Sequence, residues 1–414
     1  MRLNEIEQAM LAGELGAPRQ QAIEQQMAVG RMFDAPDFVE VSHVHVMGDT
    51  ESLGEAGVAW LEQLATAPRE QRRVRVPTVT DPRGIDQCAF RRLKQPESMA
   101  ALELRAAAAL RELGVLMTDT CINYQTVLPP VRGEHLAYGD TGSTIYANSV
   151  CGARSNFEGG PAALAAGLTG RVPRYGCHLD AGRRGTHLFE VRERPRNLTE
   201  WGALGAVIGR AAGSYWTVPV ITGIDGSPTS DELKHFGAAM ASWGSVPLFH
   251  MVGVTPEAPD LASVLDGPAP AATTVGLADI EALYAAFGRH EEKVDVVVFA
   301  APQLSLVELQ QLAELLRERR VHEGTALLVA TSPELKAACD RMGITETIEA
   351  SGAVLLQGVC FYQMYARELG VANGWTRLLS NSAKLVNIIS GYGYEPVLAP
   401  MEVCVEAAVA GRMA

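Results

Sequence analysis

The chain has little of what assigns a protein to a class at sight. No uninterrupted apolar run approaches the roughly 20 residues of a bilayer-spanning helix, so no membrane span is expected. The first residues, Met1-Arg2-Leu3-Asn4-Glu5-Ile6-Glu7, lack the apolar centre of a secretory signal, and a cytoplasmic location is expected. Glycine-rich phosphate loops of the Walker or dinucleotide type are missing, which weakens any nucleotide hypothesis. Positive charge is in deficit: 35 Lys and Arg face 48 Asp and Glu, and the net charge of −13 speaks against nucleic acid or an anionic membrane as partner. Cysteine is sparse as well. Its seven copies are scattered and odd in number, with no Cys-x-x-Cys spacing, so neither a disulfide framework nor a zinc ribbon is expected. Thiolates that bind a metal here must meet from distant loops.

What is present describes a folded α/β enzyme acting on a small molecule. The 414 residues exceed the roughly 250 to 300 at which one core stops growing. Three α/β regions are expected, over residues 1–200, 201–290 and 291–414. Asn4 and Glu7 form a capping-box pattern at a first helix, and a second helix spans 19–32. Residues 38–46 alternate as a strand that turns His43 and His45 to one face, a polar pocket wall in preference to a metal site. A short strand over 74–79 exits into the turn Thr80-Asp81-Pro82-Arg83-Gly84, and an alanine-rich helix covers 97–113. Cys121 then follows a strand-like run, either as a buried small hydrophobe or as a functional thiol. From Trp201 a helix of small residues predicts close packing, and strand, helix, strand follow to Val254. Residues 256–274 read as a loop. Alternation resumes with strands 294–300, 326–330 and 353–356 and helices 306–320 and 333–342, the grammar of a parallel sheet whose carboxyl ends take ligands.

The most unusual stretch is Asn148-Ser-Val-Cys-Gly-Ala-Arg-Ser-Asn-Phe-Glu-Gly-Gly-Pro161. Ile145, Tyr146 and Ala147 read as the end of a buried strand, and 161–168 as a helix with proline at its first position. A polar loop at a helix N-terminus favours an anion, which Arg154 can clamp; the alternative is a turn in which Arg154 pairs with Glu158. Residues 171–185 concentrate positive charge, as an anion pocket or a solvated loop. Ser380-Asn381-Ser382-Ala383-Lys384 runs from a strand into a helix, so Lys384 either reaches an anion there or is exposed behind a serine cap.

Taken in order, these pieces resemble the large subunit of the aconitase X family, the divergent branch of the aconitase superfamily. The resemblance covers nearly the whole chain and is strongest over Tyr146 to Pro161, with further matches at Tyr175-Gly176-Cys177-His178-Leu179, 245–257, Cys360 and 380–384. It implies multi-domain α/β/α layers of the aconitase type with the swivel domain on a separate small subunit, which brings a catalytic serine. It implies a hydro-lyase that removes water from a small hydroxy acid with an iron–sulfur cluster. The preferred substrate is cis-3-hydroxy-L-proline, converted to a pyrroline carboxylate, and the alternative is mevalonate 5-phosphate. Cys121 and Cys360 fall on two family ligand positions. Where many members carry Gly-Cys-Pro-His, this chain has Ala300-Ala301-Pro302-Gln303, and Cys151, where leucine is usual, is the candidate third metal ligand. Gly139-Asp140-Thr141-Gly142-Ser143 replaces an Ala-Glu-Ser-Ser pattern, with a shortened carboxylate. Asn148, Arg154, Asn156 and Lys384 then bind substrate. Ser149, Glu158 and Ser382 orient substrate or water, and His45 and Asp140 handle protons. Two other readings stay open: a divergent lyase with an altered cluster, and a non-catalytic scaffold subunit.

Overall fold

The computed structural model describes residues 1–413. Fourteen strands follow in chain order: β1 Phe38–Glu40, β2 His43–Val46, β3 Thr78–Thr80, β4 Leu136–Tyr138, β5 Arg171–Pro173, β6 His187–Val191, β7 Pro219–Thr222, β8 His250–Met251, β9 Ala272–Val275, β10 Val296–Phe299, β11 Ala326–Thr331, β12 Val354–Gln357, β13 Arg377–Ser380 and β14 Glu395–Leu398. They form three parallel sheets, ordered β3-β2-β4, β8-β7-β6-β9 and β12-β11-β10-β13-β14, and an antiparallel β1-β5 ribbon. Helices fill the crossovers, as parallel pairing requires. In the third sheet the order reverses between β10 and β13, and a crevice opens there beyond the strand ends. No described helix is long and apolar enough to cross a membrane.

The first helix carries the expected capping box, with Asn4 accepting from Glu7 N and Glu7 accepting from Asn4 N. His43 and His45 do share a face, but a break at Val41 and Ser42 divides the expected strand into β1 and β2. Ile145, Tyr146 and Ala147 end no strand; they lie inside the Thr141–Ser149 helix. Asp140 caps that helix, its Oδ2 accepting from Ser143 N at 2.8 Å, and an apolar run buried on every side loses the periodicity that marks a helix. The second sheet begins at β6, ahead of Trp201. It ends at β9, inside the stretch read as loop; three of the four β9 residues are exposed, so no apolar alternation announced that edge strand.

One apolar cluster ties the three regions together. Cys121, Ile145 and Tyr146 from the first, Trp201, Phe236 and Phe249 from the second, and Ala383, Val386 and Leu398 from the third share it. At its centre the Leu198–Ala212 and Ser230–Gly244 helices lie backbone to backbone. A Cβ at Gly205 would overlap the Phe236 carbonyl oxygen, and one at Gly209 the carbonyl oxygen of Met240. The small residues after Trp201 are thus a packing surface. Elsewhere in a helix, Gly→Ala gains about 1 kcal/mol in propensity. Here overpacking, at about 1–3 kcal/mol, outweighs it. Gly205→Ala is expected to destabilise the chain by roughly 1–2 kcal/mol net in urea unfolding, and an increase in stability would show that the helices are free to separate.

Candidate active site between the first and third sheets

The carboxyl ends of the first and third sheets face each other, and the residues that follow their strands meet in the gap. Asp140 follows β4 and Lys384 lies one residue inside the Ala383–Ile389 helix after β13. Lys384 Nζ donates to Asp140 Oδ1 at 2.8 Å, with 4% and 3% of the side chains exposed. Burial opposes the charged form of both. The neighbouring ammonium outweighs it for Asp140, which is held below the usual carboxylate range, and Asp140 keeps Lys384 above the usual lysine range.

His45, from β2, is fully buried, and Nε2 donates to the Thr120 carbonyl at 2.8 Å. Burial lowers its pKa to about 4, so the ring is neutral near neutral pH. Its Nδ1 has no partner. Asp81 Oδ1 stands 3.5 Å from Nε2, too long for a bond and beside a neutral ring, so this is no ion pair. Burial first, and then the charge of Asp140, push Asp81 well above the carboxylate range. Gln363 Nε2 donates to Asp81 Oδ2 at 2.8 Å and bridges to Asp49 Oδ2 at 3.3 Å.

The thiols of Cys121 and Cys360 lie beside this group, one from each sheet. A hydrogen bond with Cys360, followed by burial, raises the Cys121 thiol well above the ordinary range. Gln303 N donates to Cys121 Sγ at 3.4 Å, and Ser143 Oγ donates to the Cys121 carbonyl at 2.9 Å. The ammonium of Lys384 lies 5.8 Å from the centre of the Tyr362 ring. Ser382 donates to the Ala301 carbonyl and accepts from Leu385 N at 3.0 Å, so it caps its helix and fixes the β10 and β13 exits together.

Cys151 is not with the pair. It lies past the far end of the nine-residue Thr141–Ser149 helix, about 13 Å along the axis from its capped start. There burial, and then the charge of Glu134, raise its thiol to about 11. Ala301 carries no donor atom, and among the described residues no three His, Cys, Asp or Glu side chains converge as a metal site. The donor set is two thiols, and it does not fit a cluster held by three cysteines of this chain.

The Asn148–Pro161 run divides. Asn148 donates to the Ser155 and Pro247 carbonyls at 2.8 Å each, and Ser149 Oγ accepts from Phe249 N at 2.9 Å. Asn156 donates to the Tyr175 carbonyl and accepts from Cys177 N and the Tyr215 hydroxyl. These side chains are satisfied by the scaffold. Arg154 lies beside His135, at the amino end of β4, whereas Phe157 lies beside Tyr138 at its carboxyl end. Three strand residues, about 10 Å, separate the two positions. Arg154 pairs with Asp180 at 2.5 Å rather than with Glu158, and opens on a cavity of about 210 Å³ shared with Arg132, Arg183 and Arg184. Glu158 is at the carboxyl end, its N donating to the Tyr138 carbonyl at 2.9 Å. Its carboxyl is buried, Oε1 has no partner, and burial raises its pKa to about 7.

Gln363 and Tyr362 belong to the centre without having been singled out, and Asp81 was read only as one polar group of the Thr80–Gly84 turn. An acid directly after a buried β-strand was the one available signal, for Asp81; the other two follow Cys360 by three residues or fewer and carry no pattern of their own.

Parallel sheets joined at their carboxyl ends by buried acids, an ammonium, a neutral imidazole and two thiols define an α/β enzyme for proton transfer on a small polar molecule. Family models described as the aconitase X first, second and third domains match residues 1–181, 185–285 and 294–410. The phosphomevalonate dehydratase large subunit of Methanothermobacter thermautotrophicus is 35% identical over 94% of both chains. The cis-3-hydroxy-L-proline dehydratase of Pseudomonas aeruginosa is 33% identical over 99% of this chain and 70% of its own length. A crystal structure of Thermococcus kodakaraensis aconitase X in its holo-form superposes with a TM-score of 0.88 at 28% identity, covering 99% of this chain and all of that one. The chain belongs to the aconitase X family, and it is a hydro-lyase.

The raised Glu158 carboxyl has a consequence for stability. The folded chain binds this proton more tightly than the unfolded chain, so the contribution is complete below pH 4.5 and is lost as pH rises through about 7. That interval corresponds to roughly 3 kcal/mol. Wild type is expected to lose stability relative to Glu158→Gln across it, measured by urea unfolding at successive pH values. Parallel curves would show that the carboxyl is not buried.

Proposed function

We propose that this chain dehydrates a small zwitterionic hydroxy acid, cis-3-hydroxy-L-proline in the first place, at the centre formed by Lys384, Asp140, Asp81, His45 and the two thiols, with Glu158 at the same end of β4. The charge balance of the centre is the observation that carries this reading. One ammonium, Lys384, is paired with Asp140 beside the buried Asp81, while the arginines of the Arg154 cavity are grouped at the other end of β4. A substrate ammonium meets the ionised Asp140 and its carboxylate meets Lys384. A phosphate would add two negative charges to a centre whose ammonium, Lys384, is already paired with Asp140.

Elimination needs a base for the proton beside the carboxylate and an acid for the departing hydroxyl. A carboxyl with a pKa of about 7 holds or takes a proton near neutral pH, and Glu158 is assigned that exchange. Lys384 binds and orients the substrate carboxylate, with Asp140 fixing the direction of its N–H bonds. His45 stays neutral and offers Nδ1, and Asp81 carries a proton within the buried group. Ser382 and the scaffold side chains Asn148, Ser149 and Asn156 hold the loops, and Arg154 binds an anion only at a distance from the centre. Cys121 and Cys360 are the positions for the family's metal group. Two thiols do not complete a three-cysteine site for it. A small subunit bearing the swivel domain is the proposed partner, on the strength of the large-subunit naming of the relatives.

The 35% identity to a phosphomevalonate dehydratase large subunit favours a second reading, a phosphorylated hydroxy acid as substrate. Assay of the anaerobically purified chain with its small subunit on both compounds separates the two. Turnover of cis-3-hydroxy-L-proline, with kcat/KM reduced roughly 10- to 100-fold in Lys384→Met, is expected, since a charged hydrogen bond is worth about 1.5–3 kcal/mol. Turnover of mevalonate 5-phosphate alone would replace the first reading with the second, and turnover of neither would overturn both and point to a different hydroxy acid.

A further inference from the structure

Gln303 follows the Ala300-Ala301-Pro302 exit of β10, and none of it is exposed. Its Nε2 lies 3.2 Å from the Asp119 carbonyl oxygen, 3.2 Å from that of Thr331 and 3.1 Å from that of Val359. Asp119 lies two residues before Cys121, and Val359 is the residue before Cys360. The same residue donates its backbone N–H to Cys121 Sγ at 3.4 Å. Its carbonyl accepts from Lys234 Nζ at 3.4 Å, and Lys234 is itself buried in an ion pair with Glu308. Three carbonyls around the nitrogen fix the orientation of the amide, because the oxygen in that place would face only acceptors. The remaining Oε1 has no partner, so donation alone holds the group.

A third ligand would tie the two cysteine loops together through a metal. Among the described residues no third His, Cys, Asp or Glu donor joins the pair as a metal site. We infer that Gln303 is a positioning residue whose amide braces the Cys121 and Cys360 loops, so that the thiols stand paired through protein hydrogen bonds alone. The brace is anchored on both sides of the gap: Asp119 in the first region, and Thr331 and Val359 in the third. Lys234 of the second region steadies its backbone. The consequence for catalysis rests on the proposed reaction, but the brace itself does not.

The test uses the full-length chain and the substitution Gln303→Met, which keeps the length of the side chain and removes its donors. Alkylation of each cysteine by N-ethylmaleimide is followed by peptide mass spectrometry, together with amide hydrogen exchange over 118–122 and 358–361. Cys404, fully buried in the third region, is the internal control. Loss of two net hydrogen bonds is expected to speed alkylation of both Cys121 and Cys360 by about tenfold or more. Cys404 is expected to be unchanged, and faster exchange is expected to be confined to the two loops. Equal acceleration at all three cysteines would mean general loosening and overturn the brace, as would acceleration at one cysteine of the pair or at none. If Gln303→Met does not fold, Gln303→Asn keeps the donors but cannot span the three carbonyls, and is read in the same way. Neither readout uses turnover, so failure of the dehydration assay leaves this result standing.

Discussion

The buried pair of Asp140 and Lys384 is the constraint from which the rest of the site follows. Taking two charges out of water costs several kcal/mol for each ion, and the pair recovers this only through close geometry and further hydrogen bonds. Asp140 has both, since its second oxygen caps the helix that follows while its first meets the ammonium. Lys384 comes from the other sheet, so the pair forms only when the two strand-end crevices close on each other. Once it exists it sets the electrostatics of its neighbours. The Asp140 charge helps to push Asp81 up, and both lie among the groups that raise the Cys121 thiol.

A second set of contacts holds the same two regions in register without charge. Arg83 N donates to the Gly358 carbonyl at 2.7 Å beside the Cys360 loop, Gln363 reaches back to Asp81, and Gln303 reaches forward to Asp119. The centre is thus a seam between strand ends, closed by amides and one ion pair. That arrangement explains how thiols more than two hundred positions apart in sequence come to touch.

The architecture was largely legible in the sequence because its signals are local. Caps at Asn4 and Ser382, the alternation of the third region and the small residues after Trp201 all depend on neighbours within a few positions. The Thr141–Ser149 helix was misread because burial on all sides erases periodicity, and the short exposed β9 because it has none. The site was legible only in part. Cys121, Cys360, Asp140 and Lys384 lie together, whereas most polar side chains of the Asn148–Pro161 run are bonded to the scaffold. Asn148, Ser149 and Asn156 hold backbone that no repeating ladder satisfies, and buried backbone polar groups need partners whatever their distance in sequence. Arg154 and Glu158 fall at opposite ends of one strand because the chain between them is extended. Cys151 lies away from the other thiols because a helix intervenes.

The claim that a single cross-sheet ion pair organises the centre is tested most directly by a double-mutant cycle on stability, with Asp140→Asn, Lys384→Met and the two combined, measured by urea unfolding of the intact chain. Each single substitution strands a charge or a polar group in the interior and is expected to cost about 3–5 kcal/mol. The double substitution is expected to cost at least about 2 kcal/mol less than the sum of the two. Additive losses would show that the residues do not interact, and would contradict the account.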